Sequence, residues 1–469
     1  MDKQIVVGLD IGTTKIACII GERDTENHGK IKIIGHGKVA SVGVVHGEVR
    51  NLIDATKSIK QAVAMAAQSA KCSVKEVYVG IAGQHIQSQK NRGVISISQQ
   101  QHYIMEEDVK RLINEQYNIP LDPGVEIIHI FPQTFFVDNE ELKDVDPVGY
   151  AGVRLEADFH IVTGKSNNIR NIIISVQSAG LNVKGIVLEP IASGLAVLTE
   201  EDRNAGVALV DIGGGTTDMA IFTEGVIRHT HVIPLAGKTI TEDIQKGCAV
   251  MPEIAEKLKV QFGSCMPECV PDDVVSFPGI HGQPPRQVEM KTLASIIKAR
   301  TSDIIDLVHC EIEDSDTRSQ LLGGIVLTGG GSKLQDIVNY TSYKTGISTR
   351  IGTPDEHVSG LSDNKVTDIT DPVYATGIGL VLYGFLEEEN ASANGDTVED
   401  DDKGGIDPAF LDTPDTPKCD GKKEKGNKPG KGDVKKDDGG DDDGGDGKGG
   451  FMKKVSIWLN NILTDKEIE

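Results

Sequence analysis

The stretch VALVDIGGGTTDMAIFT, residues 207–223, decides the fold, and residues 5–20, IVVGLDIGTTKIACII, are its shorter counterpart. Each has an aliphatic run that ends on an acid, then a glycine and threonine turn, then a second aliphatic run. This pattern predicts two antiparallel strands joined by a tight turn. Because the Asp-Ile-Gly turn with its Thr-Thr pair occurs once in each half of the chain, the sequence predicts two similar half-molecules.

The glycine turns are suited to bind phosphate, because residues without Cβ let backbone N–H groups converge on an anion while threonine hydroxyls add donors. Asp10 and Asp211 end the two buried strands at the mouths of the turns. These carboxylates would repel phosphate unless a cation lay between them, and Mg²⁺ with most of its waters suits that position. We therefore expect a Mg²⁺-nucleotide clamped between two hairpins, whereas either hairpin alone would also fit an ordinary turn. The phosphate-binding residues of the second turn are Gly213, Gly214, Gly215, Thr216 and Thr217.

Composition excludes several classes of protein. A chain of 469 residues is too long for one core, so two or more domains are expected. The net charge of -23 argues against nucleic acid as a partner. The seven scattered cysteines suit a reduced cytoplasmic protein, and Cys265 and Cys269 with His281 lack the second ligand pair of a zinc site. No apolar run is long enough to cross a bilayer. We expect no secretion leader, because no basic and then apolar stretch precedes the first strand.

The alternation of strands and helices predicts two α/β units with two insertions. The first unit spans residues 1–83 and continues at 161–200 and 360–386. The second spans 201–230 and continues at 301–359. An inserted subdomain occupies residues 84–160, and a second insertion occupies 231–300.

The end of the chain differs from the rest. Residues 387–450 hold few apolar residues and many Gly, Asp and Lys, which predicts a disordered acidic linker. Residues 451–465 then predict an amphipathic helix that lies in a membrane interface, with docking onto the body of the protein as the alternative. Its basic residues are Lys453 and Lys454. Its apolar face consists of Phe451, Met452, Val455, Trp458, Leu459, Ile462 and Leu463.

With the two hairpins and a later GGG turn in place, the chain resembles the actin, Hsp70 and sugar-kinase superfamily. The resemblance implies an α/β actin-like ATPase fold in which two RNase H-like halves surround a nucleotide cleft that binds ATP and Mg²⁺. Asp10 and Asp211 would be the catalytic and metal-facing acids, and Glu189 would match the acid of the connecting motif. The first phosphate motif would be Gly12, Thr13, Thr14 and Lys15, and the adenosine motif Gly329, Gly330, Gly331 and Ser332.

The same resemblance implies further contacts to the nucleotide. Glu256 and Lys257 would contact the ribose and purine, unless they form a solvated helix face. Gly237 and Lys238 would bring a second stretch of backbone to the nucleotide. Glu189 could orient an attacking water or hold a water bound to Mg²⁺, and the residues do not separate the two. ATP binding with slow or no hydrolysis is expected.

Two stretches narrow the resemblance to the FtsA family of bacterial cell-division proteins: residues 129–164, HIFPQTFFVDNEELKDVDPVGYAGVRLEADFHIVTG, and residues 277–288, FPGIHGQPPRQV. The family resemblance implies a protein that polymerises, binds the C-terminal tail of FtsZ and tethers it to the cytoplasmic face of the inner membrane at the septum, where it recruits other divisome proteins. Arg300 is the candidate partner of the FtsZ tail, with a solvated arginine as the alternative. The rival functions are a small-molecule kinase, which would need a catalytic base, and a chaperone-like ATPase, which would need a peptide-binding domain after Leu386.

Overall fold

The structure is a computed structural model that describes residues 4–24, 30–98, 103–142, 146–278, 284–359 and 369–393. The predicted amphipathic helix and nearly all of the predicted linker lie outside the described residues. The strands are β1 Ile5–Ile11, β2 Lys15–Arg23, β3 Ile31–Ala40, β4 Val44–Val45, β5 Glu48–Val49, β6 Glu76–Ile81, β7 Gln87–Ser96, β8 Val125–Val137, β9 Glu140–Glu141, β10 Arg154–Lys165, β11 Asn182–Leu188, β12 Val207–Ile212, β13 Thr217–Thr223, β14 Val226–Ile233, β15 Val274–Phe277, β16 Arg286–Glu289, β17 Gly324–Thr328, β18 Thr349–Ile351 and β19 Val358–Ser359. The helices are α1 Leu52–Ala70, α2 Glu106–Glu115, α3 Ser166–Ser178, α4 Glu189–Val197, α5 Glu200–Ala205, α6 Gly237–Cys248, α7 Pro252–Phe262, α8 Met290–Asp314, α9 Ile337–Thr345 and α10 Ala375–Ala393.

Both predicted hairpins are present, and each begins a sheet of the same design. In the first half, β1 pairs antiparallel with β2 and parallel with β6, in the order β11-β6-β1-β2-β3-β19. In the second half, β12 pairs antiparallel with β13 and parallel with β17, in the order β14-β13-β12-β17-β18. The two sheets therefore place equivalent turns at equivalent edges, which brings the two glycine turns to one cleft.

Helix α10 packs between the halves. It lies against α4, β1, β2 and β6, and its buried side chains join one core with residues of β12 and β13. The helix continues to Ala393, so the prediction that the disordered linker begins at residue 387 is wrong for its first residues. The physical reason is pairing of the glutamates: Glu388 Oε1 lies 2.7 Å from Lys184 Nζ, and Glu389 pairs with Arg23.

The inserted subdomain has its own sheet, in the order β7-β10-β8-β9, and its own core beneath α2. Its strands β7 and β10 pair from Gln87↔Thr163 onward, so its two connections to the first half lie side by side. The second insertion contains α6, α7 and the β15–β16 hairpin and leads into α8. This helix begins at Met290, so the expected boundary between residues 300 and 301 falls inside one continuous helix.

Candidate functional site

A cavity of about 470 Å³ opens where the two glycine turns meet. Residues from both halves and from the helices α4, α7 and α10 line it. They include Asp10, Gly12, Thr13, Thr14, Lys15, Lys38, Gly47, Glu189, Asp211, Gly213, Gly214, Gly215, Thr216, Asp218, Gly237, Glu256, Lys259, Val260, Gly329, Gly330, Gly331, Lys333, Leu334, Val373 and Thr376.

The two turns touch each other across this cavity. A Cβ added at Gly214 would overlap the Thr14 side chain, and one added at Gly215 would overlap Thr13. The loop between β4 and β5 strengthens the contact, because the Gly47 N–H donates to Thr13 Oγ1 (2.9 Å) and His46 Nδ1 donates to the Gly215 carbonyl (3.0 Å). Residues from both hairpins therefore form one continuous wall of backbone N–H groups and hydroxyls.

Acidic side chains crowd the inner end of the cavity around a single lysine. The carboxylates of Asp10, Asp211 and Asp218 are buried, and Glu189 lies partly buried beside them. Lys15 is held by an ion pair with Asp10. Four carboxylates against this one ammonium leave an excess of negative charge away from bulk water, which is costly unless protons or a cation compensate it.

The titration of these groups reflects that crowding. Burial, followed by repulsion from the nearby aspartates, raises the pKa of Glu189 well above its ordinary value. Burial and the neighbouring Asp211 raise the pKa of Asp218 to about 8, although the Thr216 hydroxyl partly offsets them. Burial alone would lower the pKa of Lys15, but the adjacent carboxylates, Asp10 first, more than reverse this and raise it. The lysine therefore stays charged while the acids compete for protons.

Asp211 is fixed by the other half of the molecule. Ser193 Oγ on α4 and Thr376 Oγ1 on α10 both donate to Asp211 Oδ2, at 2.6 and 3.2 Å. Gly329, in the adenosine motif, has φ of +78°, and a Cβ there would overlap Asp211 Oδ1. Glycine is thus required at 329 both for the backbone conformation and for the close approach to this acid.

A second group of polar contacts borders the cavity on α6 and α7. Lys259 Nζ donates to the Gly237 carbonyl (2.9 Å) and to Thr241 Oγ1 (2.8 Å), and it pairs with Glu256 (2.8 Å). Glu256 and Lys259 are one helical turn apart, so they share a face of α7. The sequence had suggested Lys257, which is exposed and does not line the cavity.

Three other predicted residues do not line the cavity with their side chains. Thr217 begins β13 on the face opposite to Thr216, and its hydroxyl donates to the Leu235 carbonyl (2.7 Å). Lys238 is exposed, although its N–H donates to the Gly214 carbonyl (2.8 Å). Ser332 is buried and donates to the Gly329 carbonyl (2.7 Å), so it shapes the turn from behind. The other residues predicted to bind nucleotide do line the cavity.

Sequence reasoning missed residues that line the cavity and one, Ser193, that supports it through Asp211. Asp218 follows the Thr-Thr pair directly, and strand alternation from Thr216 would have placed it on the cavity side. Lys259 could have been found from the same helical spacing that places Glu256. Ser193 and Thr376 had no local signal, because only the packing of α4 against α10 brings them to Asp211.

The residues fit a nucleotide with a hard cation. Asp218 Oδ1 is buried without a hydrogen-bond partner, and it faces the group of acids that a cation would neutralise. Carboxylate oxygens and waters are the ligands that Mg²⁺ prefers, and the glycine turns lack the Cβ atoms that would keep phosphates away. The inner acids could therefore hold a hydrated Mg²⁺ while the turns hold the phosphates.

The expected partner residue Arg300 lies on α8, outside the cavity. Its Nε donates to Asp243 Oδ2 (2.6 Å) and its Nη1 to Asp303 Oδ2 (3.1 Å), so its charge is already paired within the chain. Among the described residues, no helix has the length and hydropathy needed to cross a membrane.

Comparison with known families gives a consistent result. Residues 208–379 match the family described as Cell division protein FtsA, residues 83–163 the SHS2 domain inserted in FTSA, and residues 168–230 the Hsp70 protein family. The chain is 35% identical over 403 residues to cell division protein FtsA of Pseudomonas aeruginosa, covering 85% of this chain and 94% of the relative. It is 37% identical over 403 residues to that of Neisseria meningitidis, covering 85% and 95%, and 34% identical over 401 residues to that of Escherichia coli K12, covering 84% and 93%.

Solved structures show the same fold at low sequence identity. A PilM–PilN type IV pilus biogenesis complex is similar with a TM-score of 0.58 and 16% identity, covering 81% of this chain and 98% of that chain. MreB 5 of Spiroplasma citri bound to AMPPNP is similar with a TM-score of 0.50 and 14% identity, covering 84% and 100%. The predicted actin-like ATPase fold with an inserted subdomain is confirmed.

Proposed function

This chain belongs to the FtsA family of cell division proteins, and we propose that it binds ATP with Mg²⁺ in the cleft between its two halves. We further propose that it polymerises and tethers FtsZ filaments to the cytoplasmic face of the inner membrane at the division septum, where it recruits other divisome proteins. The observation that supports the proposal best is the cavity at which both glycine turns, four carboxylates and Lys15 converge.

In this proposal each side of the cavity has its own task. The N–H groups of both turns hold the phosphates, and Lys15 neutralises part of their charge. Asp10, Asp211 and Glu189 would hold a hydrated Mg²⁺, which would neutralise the charge between the phosphates and the acids. The turn Gly329, Gly330, Gly331 would take the flat adenine, and Glu256 would contact the ribose.

Slow turnover or none is part of the proposal. Glu189 is the acid that could orient a water, but burial raises its pKa well above the ordinary value. This shift opposes the loss of the proton that Glu189 would have to release to act as a base, which supports slow turnover over rapid hydrolysis. The similar MreB 5 structure carries AMPPNP, which supports nucleotide binding by this fold. Membership of a cell-division family favours a tether over the rival kinase and chaperone functions.

The membrane and FtsZ contacts rest on parts of the chain remote from the cavity. We propose that residues 451–465 form the membrane-binding helix, with the acidic stretch before it as a spacer. We propose that the FtsZ tail binds the second half near α8. Arg300 stays the candidate partner, but an acidic tail would have to compete with Asp243 and Asp303 for it.

Co-sedimentation with lipid vesicles tests the tethering function. The full chain, FtsZ and vesicles with anionic lipid are mixed with and without Mg²⁺-ATP, and the pellet is analysed. FtsZ should pellet at low speed only when both the chain and the vesicles are present, and a chain that ends at residue 450 should leave FtsZ in the supernatant. Sedimentation of FtsZ at the same level with that shortened chain would contradict the tether.

A further inference from the structure

Two histidines and a glutamate meet on the second half of the molecule, and none of them lines the cleft. His229 and His231 lie on β14, and Glu311 lies on α8. His229 Nε2 is 2.9 Å and His231 Nδ1 is 3.2 Å from the same oxygen, Glu311 Oε2. One ligand atom from each of the three residues lies within 4.8 Å of the others.

The local fold explains why these side chains converge. His229 and His231 are alternate residues of a strand, so both point to one face of the sheet. Their rings are parallel within 6°, with centroids 6.3 Å apart. Helix α8 packs against β14, the edge strand of its sheet, and brings Glu311 to the two rings. A His-x-His pair on a strand with a carboxylate from a neighbouring helix is a preorganised set of three metal ligands.

We propose that His229, His231 and Glu311 bind one Zn²⁺ ion, with water as the fourth ligand. Zinc takes imidazole nitrogen and carboxylate oxygen at about 2.0–2.2 Å in tetrahedral geometry, which separates neighbouring ligand atoms by roughly 3.3–3.5 Å. The distances to Glu311 Oε2 are slightly shorter than this, so small rotations of the side chains would admit the ion. Imidazole with carboxylate suits Zn²⁺ better than Mg²⁺ or Ca²⁺, which prefer oxygen ligands alone.

The site is accessible and its charges suit a cation. The His231 side chain is 43% exposed, against 19% for His229 and 21% for Glu311. His231 also lines a cavity of about 260 Å³ beside the inserted subdomain. The carboxylate of Glu311 supplies the negative charge that favours a cation beside the two imidazoles.

The cysteines offer a poorer zinc site. Cys265 is buried, and burial raises the pKa of its thiol to about 12, which opposes the thiolate that zinc requires.

The competing explanation for the histidine cluster is that both rings only donate hydrogen bonds to Glu311. That explanation predicts no affinity for metal, so a binding measurement separates the two.

Bound zinc would connect the edge strand to α8 next to the inserted subdomain. Thr230, between the two histidines, contacts His160 Nε2 at 2.8 Å, and Arg228 Nη1 donates to the Gln133 carbonyl at 2.8 Å. An ion that binds only the folded chain stabilises it by mass action. We therefore expect zinc to raise the temperature at which the second half unfolds.

The test is titration of the full, metal-free, reduced chain with Zn²⁺ by calorimetry, with Co²⁺ absorption as a second readout of tetrahedral geometry. The parent chain should bind one ion that His231→Ala and Glu311→Gln both lose. Loss of an outer partner of a metal ligand typically weakens affinity about 10–100-fold, so loss of a ligand should weaken it at least as much. Glu311→Gln keeps the size of the side chain, and circular dichroism checks that each variant is folded.

His309→Ala is the matched control. His309 lies on the same helix as Glu311 and pairs with Glu313 at 3.0 Å. The guanidinium of Arg318 is also close, with its Nη1 3.0 Å from His309 Nε2. The pair of His309 and Glu313 therefore has a cation where a third metal ligand would be needed. This variant should bind zinc like the parent. The proposal is overturned if the parent binds no zinc, or if His231→Ala and Glu311→Gln bind it as tightly as the parent and His309→Ala do.

Discussion

At the scale of single residues, the two nearby lysines of α7 differ in their position relative to the cleft. Lys259 lines the cavity and contacts Gly237, Thr241 and Glu256, whereas Lys257 is exposed on another face. Lys259→Ala should weaken ATP binding roughly tenfold or more, because hydrogen bonds to charged groups contribute about 1.5–3 kcal/mol. Lys257→Ala should bind ATP like the parent. Titration with a fluorescent ATP analogue measures both, and equal losses would contradict the assignment of Lys259.

Asp218 gives the nucleotide-free protein a pH dependence. Its pKa is raised from 3.8 to about 8, so the folded state keeps a proton that the unfolded chain releases. Stability from this group is present below about pH 4 and is lost as the pH rises through about 8. Asp218→Asn should therefore flatten the fall of the unfolding temperature between about pH 4 and about pH 8 in EDTA. Each kcal/mol of stability corresponds to roughly 2–4 °C in that temperature.

The control for this experiment is Glu253→Gln, which neutralises an exposed carboxylate on α7. It should leave the pH dependence of the parent unchanged. If Asp218→Asn has the same slope as the parent, the proton on Asp218 is not what links pH to stability.

The sequence predicted most of the cavity but not its details. Residues of the two turns were found because glycine and threonine act locally through backbone N–H groups and hydroxyls. Lys257 does not line the cavity, because the rotation of α7 decides which of its two nearby lysines faces inward, and a local pattern does not give that rotation. The Thr217 side chain does not line the cavity because adjacent strand residues face opposite ways. Ser193 and Thr376 depend on how distant helices pack, which no local pattern encodes.

At the scale of elements, the crossing of α10 over α4 holds the halves together. A Cβ at Gly379 would overlap the Ala192 carbonyl oxygen, and backbone atoms cannot rotate away. Gly379→Ala should cost about 1–3 kcal/mol or more. The control is Gly247→Ala on α6, where the Cβ would meet only the end of the flexible Ile296 side chain at 2.7 Å. That change should be neutral or stabilise by up to about 1 kcal/mol. Thermal unfolding compares them, and equal effects would contradict the role of this crossing.

The inserted subdomain should be separable from nucleotide binding. It has its own core, and its connecting strands are paired where they leave the first half. Replacing residues 84–160 by a short linker should keep ATP affinity within about twofold, since no residue of the subdomain lines the cavity, and should impair polymerisation. Sedimentation of filaments and ATP titration measure the two effects. Loss of ATP binding from a variant that circular dichroism shows to be folded would contradict this division of roles.

Sequence patterns predicted a strand or helix correctly where residues close together in the chain determine it. Both hairpins follow from runs of aliphatic residues at strand spacing. The end of α10 was placed too early, because the glutamates after Leu386 look like linker until Lys184 and Arg23 pair with them. The boundary placed between residues 300 and 301 falls inside α8, because the buried face of this helix continues without a break from Leu293 to Ile312.

At the scale of the whole molecule, the proposed tether depends on residues 451–465, beyond the described residues. A helix of this length is too short to span a bilayer but can lie along its surface. Trp458→Glu puts a charge in the apolar face, whereas Asn460→Glu adds the same charge to the polar face. Flotation with anionic liposomes should be lost for the first and nearly kept for the second, because burial of large apolar side chains supplies most of the affinity. Equal loss in both would mean that charge, not the apolar face, controls binding.

The most direct test of the central claim is an ATP titration, with and without Mg²⁺, of variants that block each turn separately. Gly12→Val fills the first turn, and Gly214→Val fills the second, where even a Cβ would overlap Thr14. If one nucleotide is held by both turns, each variant should lose at least about tenfold in affinity while it stays folded, and the parent should bind more tightly with Mg²⁺. Parent-like affinity in either folded variant would contradict a nucleotide clamped between the two hairpins.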